Sequence, residues 1–392
     1  MDRLAVENVI YPGQAIGVIG NGISTQFLIM TAKKMGFKIG IYTPDESNPA
    51  LNLADFKYIG SLTDKKTLQI FAERCDAIIY NSEDIDSDLI KFLYQFTFVP
   101  QNGELLDIMQ DRLIERTFFE TININMTPYV TIISLQDIYQ SISSIGYPAI
   151  LKPIQRNIPG SGELLIKNQA DIVKASGLLA TGTYILESYV EHDIDYSVVV
   201  GRSADGKSVV FPTIEVMYDP KLHQVANAFS PAKVDKNIDK EMKRIASEIS
   251  KNINYVGTFE ISFYVSTSGS IYVNKVSPTL STAGFVFDFG LNVSETEENL
   301  RAVAGMPLTQ PKSNLPTIFQ IIRKKDYPRV QTQWVLKDNW HFNFYGNTEA
   351  KDEEAIGHIL IPTDSISESL IQIEATKIWD ELDYKSKYEK LE

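Results

Sequence analysis

Along the first hundred residues, apolar positions alternate between two rhythms. Short apolar-rich runs at Ala15 to Ile19, Phe37 to Tyr42, Lys57 to Gly60 and Asp76 to Tyr80 read as strands. Between them lies helical spacing. Phe27, Leu28, Met30, Thr31 and Met35 mark one side of a helix that stops at Gly36, and a second helix runs from Asp64 through Arg74. This alternation predicts a parallel sheet covered by helices.

The pattern changes from about Val99. Gln110 to Phe119 reads as a helix, and Pro128 opens a new unit. Ala149 to Lys152, Leu164 to Lys167 and Tyr184 to Glu187 are further strands. Ser197 to Gly201 and Ser208 to Pro212 form an antiparallel pair around Ala204-Asp205-Gly206. Gly257 to Val265 and Ser270 to Val276 form another, turned at Ser268-Gly269, after an amphipathic helix from Lys236 to Lys251. The last stretch carries short strands at Thr317 to Ile322, Trp340 to Tyr345 and Gly357 to Ile361, then a charged helical tail from Ile366.

Composition narrows the classes. At roughly 150 residues per domain, 392 residues suggest two or three domains. Hydrophobic residues at 44% and charged residues at 22% are ordinary globular values and exclude a disordered or collagen-like chain. Lys plus Arg number 37 against 50 Asp plus Glu, a net charge of −13 that argues against nucleic-acid or membrane-surface binding while allowing a local basic pocket for a small phosphate ligand. The single cysteine, Cys75, cannot form an intrachain disulfide and reads as a packing residue. No apolar run approaches about 18 residues, so no membrane span is expected. The opening carries Asp2 and Glu7 without signal-peptide order, so a soluble, cytoplasmic protein is expected.

Three stretches could carry chemistry. Gly20-Asn21-Gly22 joins a strand to a helix, where glycine allows close backbone approach and the helix N-terminus favours an anion; a tight structural turn would look the same. The acidic residue of a dinucleotide fingerprint is displaced to Asp45, which disfavours a nicotinamide enzyme. Lys152 ends a strand eight residues before Gly160-Ser161-Gly162, an arrangement that suits phosphate but also describes a surface lysine before a hairpin. Glu187-Ser188-Tyr189-Val190 ends a strand whose backbone could read an adenine edge, with Asp195 placed for ribose hydroxyls; a plain strand end is the other reading. His192, His223, His341 and His358 show no metal spacing.

In order, the chain presents the glycine turn, Gln110-Asp111-Arg112, Gly146-Tyr147-Pro148-Ala149-Ile150-Leu151-Lys152, Gly160-x-Gly162, Glu187-x-x-Val190, Ser203-Ala204-Asp205-Gly206, Pro231-Ala232-Lys233, Tyr255-Val256-Gly257, Val273-Asn274, Leu300-Arg301-Ala302 and Pro307-Leu308. This series, from about Ala15 to Pro362, resembles the 5-(carboxyamino)imidazole ribonucleotide synthases of purine biosynthesis, the PurK family of ATP-grasp ligases. The resemblance implies a mixed α/β and α+β fold. It has a Rossmann-like pre-ATP-grasp domain over 1–110, an ATP-grasp domain over 111–308 with a lid at about 120–190, and a small β-rich domain over 309–392. It implies that ATP activates bicarbonate as carboxyphosphate and that the carboxyl passes to the amine of aminoimidazole ribonucleotide. Arg112 and Lys152 would then contact ATP phosphates, and the loop Asn157 to Glu163, with Gly160, Ser161 and Gly162, would cover them. Glu187, Ser188, Tyr189 and Val190 would hold adenine, and Asp195 would stand at the ribose. Gly20, Asn21, Gly22, Asn81 and Glu83 would face the acceptor substrate, and a homodimer is implied.

Departures from the family pattern fall on the chemistry. The family's two Mg²⁺-binding glutamates are Ser262 and Lys275 here, although Asn274 is kept, and Glu260 is the carboxylate that could serve from a shifted position. At 4 Å and an effective dielectric near 20, one charge interaction is worth about 4 kcal/mol, so a lysine there opposes a cation strongly. Thr279 and Ser281 stand in a segment where the family has Arg, His and Asn, and Glu354 stands where a basic pair holds phosphate. Residues that shape the fold are kept while those touching metal, bicarbonate or ribonucleotide change. The sequence therefore points to an ATP-grasp ligase of this kind, or to a nucleotide-binding or regulatory relative without catalysis, or to a ligase with a changed substrate defined by Asn81, Thr279, Ser281 and Glu354.

Overall fold

The computed structural model describes residues 9–379 except 157–159, 193, 220 and 348. The first segment forms the expected parallel sheet from β1 (Ala15–Gly20), β2 (Lys38–Thr43), β3 (Phe56–Ile59) and β4 (Ala77–Asn81), in the order β3-β2-β1-β4. Gly20 is required by packing, because a Cβ there would stand 2.7 Å from the Asn81 carbonyl oxygen. Gly22, at φ 82°, begins the helix Ile23–Lys34 in the left-handed region that glycine tolerates. The buried face of that helix differs from the one the sequence suggested: Thr25, Leu28, Ile29 and Ala32 are buried and Met30 is exposed. The spacing i, i+3, i+4, i+7 of the buried set gives the true stripe.

The expected helix from Gln110 to Phe119 is two helices, Glu104–Gln110 and Arg112–Thr121. Asp111 breaks them with φ −120°, ψ 114°, and its carboxylate accepts from the backbone N–H of Leu113 and Ile114. An N-cap aspartate satisfies donors that the first turn leaves open. A small antiparallel sheet follows, β5 (Tyr129–Ile132), β6 (Ala149–Pro153), β7 (Leu164–Ile166) and β8 (Tyr184–Ser188), in the order β5-β8-β6-β7. Alternation divides its residues: Ala149, Leu151, Tyr184 and Leu186 enter a core with Ile138 and Ile172, and the other face carries Lys152 and Glu187.

Nine strands make the large sheet: β9 (Asp195–Arg202), β10 (Ser208–Val210), β11 (Ile214–Tyr218), β12 (Val225–Ser230), β13 (Gly257–Val265), β14 (Ile271–Ser277), β15 (Thr317–Arg323), β16 (His341–Phe344) and β17 (Ala355–Pro362). Their order is β14-β13-β9-β11-β12-β15-β17-β16, with β10 paired to β9. The strands of the last segment thus continue the central sheet through β12 and β15. One face, with Val198, Val200, Phe259, Ile261 and Phe263, packs on Met242, Ile245, Ala246 and Ile249 of the helix Lys236–Lys251. Burying a side chain such as Phe259 is worth about 1.5–3 kcal/mol, so this face fixes the strand register. The opposite face, by the same alternation, presents Glu260, Ser262, Tyr264, Lys275 and Ser277. The helix Ile366–Ala375 covers the far end of the sheet, and the rest of the charged tail beyond 379 lies outside the described residues. No described helix is long and apolar enough to cross a membrane.

Candidate functional site

Two neighbouring regions gather the polar side chains. The first lies between the small sheet and the β13 end of the large one. The helix start at Arg112 is tied to the chain after β6, since the Arg112 N–H donates to the Ile154 carbonyl (2.9 Å) and the Arg156 N–H to that of Gln110 (3.0 Å). That tie brings Arg112 to Lys152: Arg112 Nη1 donates to the Pro153 carbonyl at 2.6 Å and Nη2 reaches Glu163 at 2.8 Å. Lys152 and Glu187 are diagonal neighbours on one sheet face, with Nζ 3.0 Å from Oε2. Arg116, one turn after Arg112, pairs with the other Glu187 oxygen and with Glu115. Glu115 also holds Arg156 at 2.8 Å and accepts from the Val276 N–H at 3.2 Å, which locks the helix to β14.

Four cations therefore share two fully buried carboxylates, Glu115 and Glu187, and the half-exposed Glu163. Burial lowers the Lys152 ammonium to about 8, against the attraction of Glu163 and with the help of three nearby guanidiniums. Burial lowers the Arg116 guanidinium to about 10. This wall is thus short of negative charge, a setting that suits charge-assisted hydrogen bonds to an anion.

On the other side of the cleft, His192 contacts the Val190 carbonyl at 2.7 Å through Nδ1 and Asp195 at 3.3 Å through Nε2, and its ring lies 4.2 Å from that of Tyr264. The Ser188 hydroxyl donates to the Ile145 carbonyl at 2.8 Å, and the backbone N–H groups of Ser188 and Tyr189 donate to the Pro128 and Pro148 carbonyls. Of the loop Asn157 to Glu163, residues 157–159 lie outside the described residues; Gly160 has φ 78°.

A cavity of about 680 Å³ opens on the large sheet next to this cleft. Glu83, Glu260, Ser262, Lys275, Ser277 and Thr279 line one side, and Tyr218, Glu353 and Glu354 another. Lys275 Nζ stands 3.7 Å from Glu83, whose carboxylate also accepts from the Ser277 hydroxyl. Burial raises the Glu83 carboxyl, but Lys275 and Ser277 outweigh it and hold it below the ordinary range. Thr279 is joined to Ser277 at 3.0 Å. Asn274 is the extra residue of a bulge in β14, between the pairs Ser262–Lys275 and Phe263–Val273.

The strand registers test the fit of a divalent ion. Ser262 lies directly between Ser197 on β9 and Lys275 on β14, so this row offers two hydroxyls and an ammonium. Among the described residues, no three His, Cys, Asp or Glu side chains gather as a metal site. A hard cation wants carboxylate oxygens, and this row does not fit one.

Comparison with known proteins names the framework. Residues 14–110 match the ribonucleotide synthetase preATP-grasp domain, and 117–295 match the ATP-grasp domain. The N5-carboxyaminoimidazole ribonucleotide synthase of Bacillus subtilis is 29% identical over 354 residues, spanning 90% of this chain and 92% of that one. The enzyme of that name from Staphylococcus aureus is 26% identical over 91% of this chain and 95% of its own. The chain is an ATP-grasp protein related along nearly its whole length to these synthases. Its fold superposes on the ADP complex of such a synthetase with a TM-score of 0.90 at 26% identity, covering 96% of this chain and 99% of that one. For the Staphylococcus aureus structure the TM-score is 0.88 at 25% identity, with coverage of 94% and 98%.

Within this ATP-grasp frame, Arg112, Lys152, Glu163, Glu187, Val190 and Asp195 come together around one cleft, and Glu83, Glu260, Ser262, Lys275 and Thr279 around the cavity. Asn81 does not reach the cavity. Its amide donates to Ser24 and Thr25 and accepts from the Leu280 N–H, so it bolts the first domain to the turn after β14. Gly20, Asn21 and Gly22 are absent from the lining as well. Sequence reading missed Arg116 and Arg156, although Arg112 and Arg116 at i, i+4 share one helix face. It also missed Tyr264 and Tyr218. Tyr264 was legible from the alternation Glu260, Ser262, Tyr264 on one strand.

Proposed function

We propose that the chain binds ATP in the cleft between the small sheet and β13, and that it acts as an ATP-grasp ligase joining a phosphate-activated carboxylate to an amine. The observation that carries this is the surplus of cations over buried carboxylates at Arg112, Arg116, Lys152 and Arg156. Arg112 and Lys152 hold the phosphates, Asp195 accepts from ribose hydroxyls, and Glu187 keeps Lys152 placed. Relatives are named for carboxylation of aminoimidazole ribonucleotide, and that reaction is the first to test. The family's divalent ion, where present, shields phosphate charge; here Lys275 supplies positive charge on the same sheet face.

Calorimetry with ADP, with and without a chelator, tests the binding step. Affinity that changes less than about threefold on chelation is expected, and binding that strictly needs Mg²⁺ would sink the role given to Lys275. Release of ADP dependent on bicarbonate and aminoimidazole ribonucleotide tests the reaction. A second reading, a nucleotide binder without turnover, is favoured by the pair Ser262 and Lys275, and it stands if ADP binds while no ADP is released with any carboxylate and amine.

A further inference from the structure

Resting on the ATP reading above, we propose that Glu163 is an internal competitor for phosphate. Its carboxylate holds the Arg112 guanidinium that a bound polyphosphate takes, so nucleotide affinity is set lower than the cations of the cleft alone would give. The contact is direct, with Arg112 Nη2 2.8 Å from Glu163 Oε1. Arg112 Nη1 is already committed to the Pro153 carbonyl at 2.6 Å. That leaves Nη2 as the terminal nitrogen for an incoming anion, and Glu163 covers it.

The three carboxylates of the cleft differ in what they can do. Glu115 and Glu187 have buried side chains, each holding two cations, and Glu115 also accepts from the Val276 N–H. They belong to the framework. The Glu163 side chain is 46% exposed, and among the described residues its ion pair is with Arg112 alone. Its charge nevertheless reaches both walls. Burial lowers the Lys152 ammonium, and Glu163 is the largest influence opposing that shift. On the far wall, burial and then Asp195 raise the Tyr264 hydroxyl, and Glu163 adds to them. The carboxylate thus projects between the walls, along the line that phosphates would follow from Asp195 towards Lys152 and Arg112. A carboxylate and a phosphate offer Arg112 the same charge-assisted bond, and two anions on one guanidinium nitrogen repel each other. A tethered carboxylate competes at an effective concentration on the order of millimolar, so it weakens a phosphate ligand without excluding it. The backbone leaves room for the exchange, since a Cβ at Gly162 would stand 3.8 Å from its nearest neighbour, Leu178.

The test titrates ADP, pyrophosphate and adenosine into the full chain in chelator, by calorimetry. Glu163→Gln keeps an oxygen acceptor for Arg112 and removes the charge. ADP and pyrophosphate should then bind about tenfold more tightly, the size of one charge-assisted contact returned to the ligand. Adenosine, which brings no phosphate to Arg112, should change by less than about twofold. Glu163→Asp keeps the charge but stops one methylene short of Arg112, and it should tighten ADP by about threefold. Unfolding midpoints near that of the unaltered protein show that both variants fold, as their exposed site leads one to expect. Four results would overturn the proposal: ADP no tighter in Glu163→Gln, adenosine gaining as much as ADP, no gain in Glu163→Asp beside a full gain in Glu163→Gln, or pyrophosphate that binds neither the unaltered protein nor Glu163→Gln. Failure of ADP to bind any of the proteins would count against the ATP reading, while pyrophosphate would still judge Glu163.

Discussion

At the cleft between the small sheet and β13, every fully buried carboxylate holds cations: Glu187 takes Lys152 and Arg116, and Glu115 takes Arg116 and Arg156. In the cavity alongside, Glu260 and Ser262 hold nothing. The two regions use the same sheet and the same kinds of side chain, so the difference lies in burial and in what is left unanswered. Charges taken deep into the protein must be paired, because the cost of stripping their water is several kcal/mol per ion. A partly exposed carboxylate on a cavity wall keeps some water and can wait for a ligand. The cleft wall around Lys152 therefore sets four cations against Glu115, Glu187 and Glu163, whereas the cavity sets one lysine against four glutamates.

The largest effect that could break this comparison is on folding. Glu115→Ala strands Arg116 and Arg156 and frees the Val276 N–H, so a loss of about 3–5 kcal/mol is expected, as for other buried pairs broken from one side. Urea unfolding measures it. A loss below about 1 kcal/mol would mean that the cluster is wet and that the contrast with the cavity is false.

Next comes the role of Lys152 in nucleotide binding. Lys152→Met should weaken ADP by roughly 10–100-fold, the size of one charge-assisted contact of about 1.5–3 kcal/mol. The pH dependence has a definite sign. Burial holds the ammonium down to about 8, so it is charged below that pH and loses its proton above it. Bound polyphosphate favours the charged form and raises this value. ADP affinity should thus be level below pH 8 and fall by up to about tenfold per unit above it, until the raised value in the complex is reached. The same fall in Lys152→Met would assign the titration to another group.

How much of this contrast could be read from residues alone follows from distance along the chain. The strands were legible because alternation is local, and so was the sequence of motifs from Arg112 to Asn274. The break at Asp111 was not, because an N-cap aspartate inside a helical stretch looks like any other polar residue until its carboxylate is seen on the Leu113 and Ile114 N–H groups. Asn81 was expected near substrate only from the family resemblance, and no spacing showed that its amide is taken up by Ser24, Thr25 and the Leu280 N–H. The Glu115 cluster joins a helix, two loops and β14, and no spacing announces such a gathering. The substitutions Ser262 and Lys275, by contrast, were visible at once, and strand register shows why they matter: they are direct partners across β13 and β14.

A third change sharpens the comparison by reversing it locally. Lys275→Glu would place a carboxylate opposite Ser262, beside Glu83 and on the same face as Glu260. Without a divalent ion these like charges repel, and ADP should bind about tenfold more weakly than to the unaltered protein, roughly 1.4 kcal/mol. With Mg²⁺ the loss should be recovered, because two or three carboxylates plus phosphate oxygens suit a hard cation. Calorimetry with and without chelator reads both arms. An equal response to Mg²⁺ in the two proteins would show that position 275 does not govern the metal.

The smallest expected effect isolates the cavity from the fold. Glu260→Gln removes a charge that no described side chain answers, keeps the shape, and should change unfolding free energy by no more than about 0.5 kcal/mol. The reasoning is the reverse of that for Glu115: a group without partners contributes no pairing to lose, and its neutral form costs less to desolvate. Burial first, and then the charges of Glu260 and Asp195, push the Tyr218 hydroxyl well up, which keeps it neutral and leaves no ionic contact with Glu260 to lose. A loss comparable with that of Glu115→Ala would make Glu260 part of the scaffold.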